Sequence, residues 1–169
     1  MDLVFNLMFW ISILAFTGSL IAAAVSDFRT LTIPNWCSVT GAVAFLPYSI
    51  TINMPLTVVL LHYETGLALL FIGAILFSLG VIGSGDTKLL ASASIWMGSE
   101  KVADFILLVA VLGGVLAMFT LCYRIIGPEN ARQRAPIWLK PSPSKNNGIP
   151  YGIAITLAGL IMISKSGMV

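Results

Sequence analysis

Apolar residues run along this chain in long blocks, cut by short polar interruptions. The first block, residues 3–25, is close to the ~20 residues a helix needs to cross a bilayer. A polar link follows over 26–36, where Pro34 is placed to open a helix because its missing N–H costs little there. The second block, 37–52, is short and holds Pro47, which predicts a kink. A link over 53–65 carries Pro55, His62 and Glu64 but no Lys or Arg. The third block is 66–82, and Gly83-Ser84-Gly85 turns the chain. The fourth, 86–98, reaches only ~20 Å as a helix, against a hydrocarbon core of ~30 Å. It is therefore expected to start inside a protein-lined, wet recess, where irregular backbone is tolerated. Ser99-Glu100-Lys101 reads as a tight turn, 102–123 as a fifth block, 124–148 as the one long polar loop and 149–164 as the last block. The pattern predicts an all-α polytopic membrane protein, a bundle of about six transmembrane helices in one domain over 1–169.

Composition supports this and excludes much else. Of 169 residues, 58% are hydrophobic and 9% charged, whereas a soluble domain carries about 25% charged residues. Mean hydropathy is +0.98. A net charge of +2 is too small to argue for nucleic acid. Cys37 and Cys122 stand alone and read as packing residues near helix ends, and His62 has only Glu64 nearby and reads as a surface residue. No zinc site and no cofactor are expected. Asp2 is the only early charge, so the first block reads as a retained helix and not a cleaved signal.

The basic residues decide orientation, because cytoplasmic loops are enriched in Lys and Arg. With six spans, one side receives Arg29, Lys88, Arg124, Arg132, Arg134, Lys140 and Lys145, and the other only Lys101 and Lys165. The long loop is expected in the cytoplasm and both termini outside. Asp27 and Asp86 then fall on the cytoplasmic side, at one membrane depth.

An acid against an apolar helix is expensive and usually has a task. Asp86 follows Gly83-Ser84-Gly85 at a helix start, whereas Asp27 follows the first block. Two carboxyls sharing a recess cannot both ionise cheaply, so such a pair holds one proton. That suits aspartyl proteolysis: the ionised member takes a proton from water, the water attacks a peptide carbonyl, and the neutral member donates to the carbonyl oxygen. Helix polarity favours Asp86 as base and Asp27 as acid. The bland alternatives are an Asp86–Lys88 ion pair or helix cap, and an Asp27 balanced by Arg29. Asp104, Glu100, Glu64 and Glu129 read as solvated link residues. Small residues at 22–24, Gly80, 91–94 and Gly113-Gly114 either pack helices closely or reflect ordinary membrane composition.

Gly83-Ser84-Gly85-Asp86-Thr87-Lys88 resembles the Gly-x-Gly-Asp-x-Lys signature of the type IV prepilin peptidases. Asp27-Phe28-Arg29 with Ile33-Pro34-Asn35 is similar to their other aspartate motif, and Ile149-Pro150-Tyr151-Gly152 to the opening of their last helix. The resemblance implies a single integral-membrane peptidase domain with Asp27 and Asp86 catalytic. It implies Gly83, Gly85, Lys88, Arg29, Pro34 and Asn35 as the supporting turn and motif residues. It implies a prepilin-like substrate with a short basic cytoplasmic leader before an apolar helix, pilus assembly components as further partners, and the inner membrane as location. Full-length members carry an added cytoplasmic region with paired cysteines and also methylate the new N-terminus. Without that region the chain is similar to the small peptidase-only members serving tight-adherence pili or archaeal preflagellins, and methylation is not expected. Ser94 stands where many members have glycine. Leader recognition falls to the polar residues of the first link, Asn35 included. The alternatives are a small proton- or cation-coupled carrier, since paired acids beside broken helices also mark ion pathways, and a non-catalytic pilus assembly subunit.

Overall fold

The computed structural model describes residues 3–126, 136–139 and 148–165. Five helices form the bundle: α1 (Leu3–Thr30), α2 (Asn35–Thr51), α3 (Leu56–Ser78), α4 (Ser84–Ile126) and α5 (Tyr151–Lys165), with a 3-10 turn at Ile137–Leu139. Among the described residues there is no strand. Three helices, α1, α3 and α4, are long and apolar enough to cross a membrane, and α5 is a shorter apolar helix. The protein is an all-α membrane protein.

Five helical elements stand where six blocks were expected, because residues 99–101 do not form a turn and the fourth and fifth blocks join as the two helical segments of α4. The chain breaks helical geometry at Gly98 alone (φ 65°, ψ 178°) and the helix resumes at once. A side chain there would be strained, and a Cβ would lie 2.7 Å from the His62 ring. The break takes the Ile95 carbonyl out of the regular ladder, and His62 Nδ1 meets it at 2.6 Å. A carbonyl only accepts, so Nδ1 carries the proton. His62 is thus a half-buried partner of the break, stacked on Phe45 at 4.8 Å, and not a surface residue. The link expected over 53–65 is mostly helix: Pro55 opens α3, and the apolar run from Leu56 outweighs His62 and Glu64.

Trp96 centres the core. It is 1% exposed, stacks on Phe16 at 4.3 Å and donates from Nε1 to the Gly41 carbonyl at 2.8 Å, joining α1, α2 and α4. Residues 91–98 are all buried. Ser94 is accommodated by donating to the Leu90 carbonyl at 2.7 Å. The buried residues of α3 are Val59, Gly66 and Gly73, seven apart, which makes one narrow seam. A Cβ at Gly73 would lie 2.4 Å from Thr87 Cγ2, and one at Gly66 2.5 Å from Ile95 Cγ1. Small residues at this seam let α3 lie antiparallel on α4 at close range. Its other faces, with Leu67, Phe71 and Ile75, are exposed and suit lipid. Thr156 of α5 donates to the Leu20 carbonyl of α1 at 2.8 Å.

Candidate active site

Asp27 lies inside the last turn of α1, not in a link after it. The helix ends with the Leu31 N–H donating to the Asp27 carbonyl at 2.9 Å, and Leu31 takes φ 54°. This is the left-handed helix stop, uncommon for a residue with a bulky side chain. Ser26 Oγ donates to the Thr32 carbonyl at 2.7 Å and holds the reversal. The chain therefore doubles back, and Ile33-Pro34-Asn35 runs beside the Asp27 side chain into α2, with Pro34 as its cap.

The Asp27 side chain is buried, and its Oδ2 accepts the Gly152 N–H at 2.7 Å. Gly152 is the second residue of α5, where backbone donors lack helical partners. The carboxylate of α1 thus caps α5. A Cβ on Gly152 would lie 2.8 Å from Asp27 Oδ2 and 3.0 Å from Ile33 Cδ1. Only glycine leaves room for this approach.

Asp86 is the third residue of α4. Its Oδ2 lies against the Gly83 backbone, 2.8 Å from where a Cβ on that glycine would stand, the placement of the return half of a capping box. Thr87 fixes the same turn: its N–H and its hydroxyl both donate to the Gly83 carbonyl at 3.0 Å. Gly85 is the contact point with the other motif, since a Cβ there would lie 3.0 Å from Ile33 Cβ. Ile33 therefore touches both Gly85, beside Asp86, and Gly152, bonded to Asp27. The two carboxyl groups thus share the neighbourhood of Ile33. Asp27 is buried and Asp86 half-buried.

Lys88 does not pair with Asp86. It donates to Asn35 Oδ1 at 2.8 Å and ties the first turn of α4 to that of α2. Arg29 is exposed, whereas Asp27 faces inward to Gly152, so a simple Asp27–Arg29 surface pair does not describe the site. Arg124 joins this end of the bundle, donating to the Trp138 and Gly148 carbonyls at 2.5 and 3.2 Å. Trp138 in turn packs edge-on against Phe28 at 5.7 Å. Lys101 and Lys165 line a separate pocket with Asp104. Arg132, Arg134, Lys140, Lys145 and Glu129 lie outside the described residues. Among the described residues no group of three or more His, Cys, Asp or Glu is placed to hold a metal. Cys37 is buried and Cys122 exposed, and both are free.

A sequence model of the type IV leader peptidase family matches residues 14–118, which include both aspartates. The chain belongs to the type IV leader peptidase family. No curated protein and no solved structure matches it. The family match stops before Gly152, the contributor to this leader peptidase site that reading the acids alone misses. Its signal in the sequence is Ile149-Pro150-Tyr151-Gly152, where proline opens a helix and glycine follows directly.

Proposed function

We propose that the protein is a membrane-embedded aspartyl endopeptidase that removes the short cytoplasmic leader from prepilin-like precursors, with Asp27 and Asp86 as its catalytic pair. The observation that carries this reading is the convergence of two carboxyls from α1 and α4 on Ile33, each at the start of a helix and one of them holding the Gly152 N–H. Asp86, the more open of the two, takes a proton from water, and the water attacks the scissile carbonyl. Asp27 donates to the carbonyl oxygen, and the roles then exchange as the amine leaves. The family match supports leader peptides as the substrate class. The uneven distribution of Lys and Arg supports a cytoplasmic-facing site in the inner membrane. Gly83, Gly85, Pro34 and Asn35 shape the turn and the strip between the acids, and Lys88 holds Asn35. The proposed reaction is cleavage alone, without methylation of the new N-terminus.

The test is cleavage of a prepilin-type precursor by membranes containing the protein, with the product N-terminus read by mass spectrometry. Wild-type protein should release the leader and leave the new amine unmethylated. Asp27→Asn and Asp86→Asn should each insert normally and leave the precursor whole. Robust processing by either variant would remove the two-carboxylate mechanism.

A further inference from the structure

Helices α2, α3 and α4 enclose a groove of about 470 Å³ that none of the chemistry above uses. Its mouth is the Asn35–Lys88 hydrogen bond, within one turn of Asp86. Its far end is Ile95, seven residues along α4 and so about 10 Å deeper. Val39 and Leu67 form its outer walls and are exposed. There α3 packs on α4 along its seam and reaches α2 by the Tyr63 hydroxyl, which donates to the Ala42 carbonyl at 2.8 Å. The walls are mostly apolar; besides Asn35 and Lys88 at the mouth, the polar lining residues are Ser38, Tyr63 and Ser92. Ser38 is 7% exposed, and its hydroxyl is buried with no hydrogen-bond partner. A buried hydroxyl without a partner is costly, and such a group calls for an explanation.

We propose that this groove receives the apolar segment of the precursor that follows the scissile bond, with Ser38 and the Asn35–Lys88 pair engaging backbone groups left unpaired at its start. The inference rests on the peptidase reading above and names where that substrate lies. A peptide bond open to attack must be extended, so the residues beside it lose helical partners. In apolar surroundings those N–H and C=O groups must find partners in protein. A serine hydroxyl gives one donor and two acceptor sites, the asparagine amide adds both kinds, and the lysine adds donors. A lipid chain would fit the apolar walls, but it has no use for a buried hydroxyl. Continuity points the same way: Gly85, beside Asp86, lies on Ile33, and Lys88 holds Asn35 from the same helical turn, so Ile33-Pro34-Asn35 forms the sill between the carboxyls and the groove. A segment leaving the carboxyls over this sill enters the groove and runs inward along α4.

A photoreactive side chain placed at Val39 or Leu67, in an Asp86→Asn background that holds the precursor uncut, tests this. Phe71, exposed on α3 outside the groove lining, is the control. Val39 and Leu67 should give adducts with the precursor within the first turns after the cleavage site, and Phe71 should not. Adducts with lipid alone at Val39 and Leu67, or precursor adducts from Phe71 instead, would overturn the groove while wild-type cleavage kept the peptidase reading intact. No cleavage by the wild-type protein would overturn both. Independently, Leu67→Trp should raise KM for the precursor roughly tenfold with kcat nearly kept, a loss of uniform binding. A short peptide spanning the cut but ending before the apolar segment should be turned over as before. Equal effects on both substrates, or none on either, would refute the assignment.

Discussion

Adding one methyl group at Gly152 tests whether the Asp27 carboxyl works where it is seen. An alanine Cβ would lie 2.8 Å from Asp27 Oδ2, 3.0 Å from Ile33 Cδ1 and 3.1 Å from Asp27 Cβ. Ordinary contact begins at 3.4 Å, so 0.6 Å must be found (3.4 − 2.8). Ile33 Cδ1, the far end of its side chain, can turn aside, but Asp27 meets the new methyl with both Oδ2 and Cβ. The carboxyl must move, and it is bonded to the N–H of the same residue that now pushes it away. Overpacking costs about 1–3 kcal/mol, while Gly→Ala within a helix returns about 1 kcal/mol. The net loss of stability is then about 0–2 kcal/mol by the same two estimates. The catalytic cost is larger, because misplacing a reacting group by about 1 Å can lower rate roughly 100-fold. That corresponds to about 2.7 kcal/mol of barrier.

Gly152→Ala should therefore fold, unfold at nearly the wild-type temperature and process precursor about 100-fold more slowly. Rates of leader removal and thermal unfolding curves, taken on the same detergent-solubilised samples, separate the two effects. Gly114→Ala is the matched control, since a Cβ there meets nothing within 4 Å. It should leave the rate unchanged. Wild-type processing by Gly152→Ala would mean that Asp27 does not act from its contact with α5.

The remaining predictions follow from single contacts. Asp27→Asn with Asp86→Asn should be no worse than either alone, because residues acting as one unit are not additive; residual turnover of the three variants at equal expression reads this. Lys88→Ala should slow processing about tenfold without abolishing it, since Lys88 contacts Asn35 and not a carboxyl; a total loss would place Lys88 in the chemistry. His62→Ala leaves the Ile95 carbonyl short of a partner and should cost about 1–3 kcal/mol, read as a lower unfolding temperature with processing kept at permissive temperature. A reporter fused within 124–148 should read cytoplasmic and one at the C-terminus external, because Lys and Arg concentrate on one side.

Much of the site was legible because it is written in expensive residues. Acids at helix ends in an apolar chain are few, and counting spans and basic residues places Asp27 and Asp86 at one end. The structure brings them together through Ile33, whose role no spacing rule reveals: an isoleucine in a polar link looks like filler until Gly85 and Gly152 both lie on it. The helix count was less legible. A polar triplet such as Ser99-Glu100-Lys101 suits a turn, yet one glycine in the left-handed region suffices to redirect α4. His62 misled for the same reason, since its partner is a carbonyl exposed by that break and not another side chain. The small residues divide: Gly66 and Gly73 sit at close helix contacts, whereas Gly18, Gly80 and Gly114 face open space. Composition alone cannot make that division, because it depends on which stripe of a helix meets a neighbour.

The backbone contacts of the two acids also bear on how a proton can be shared. Asp27 Oδ2 accepts from Gly152 whether the group is ionised or neutral, so a proton on Asp27 belongs on Oδ1. Asp86 Oδ2 likewise lies against the Gly83 backbone. Each carboxyl thus has one oxygen turned to the backbone at a helix start. The arrangement looks alike from either side, as a mechanism that exchanges acid and base requires. It also explains why an asparagine at 27 is a clean probe. The amide oxygen can keep the Gly152 bond, so α5 stays capped. The amide nitrogen then occupies the place of Oδ1, where it can donate a hydrogen bond but cannot take up the proton that the next step must return.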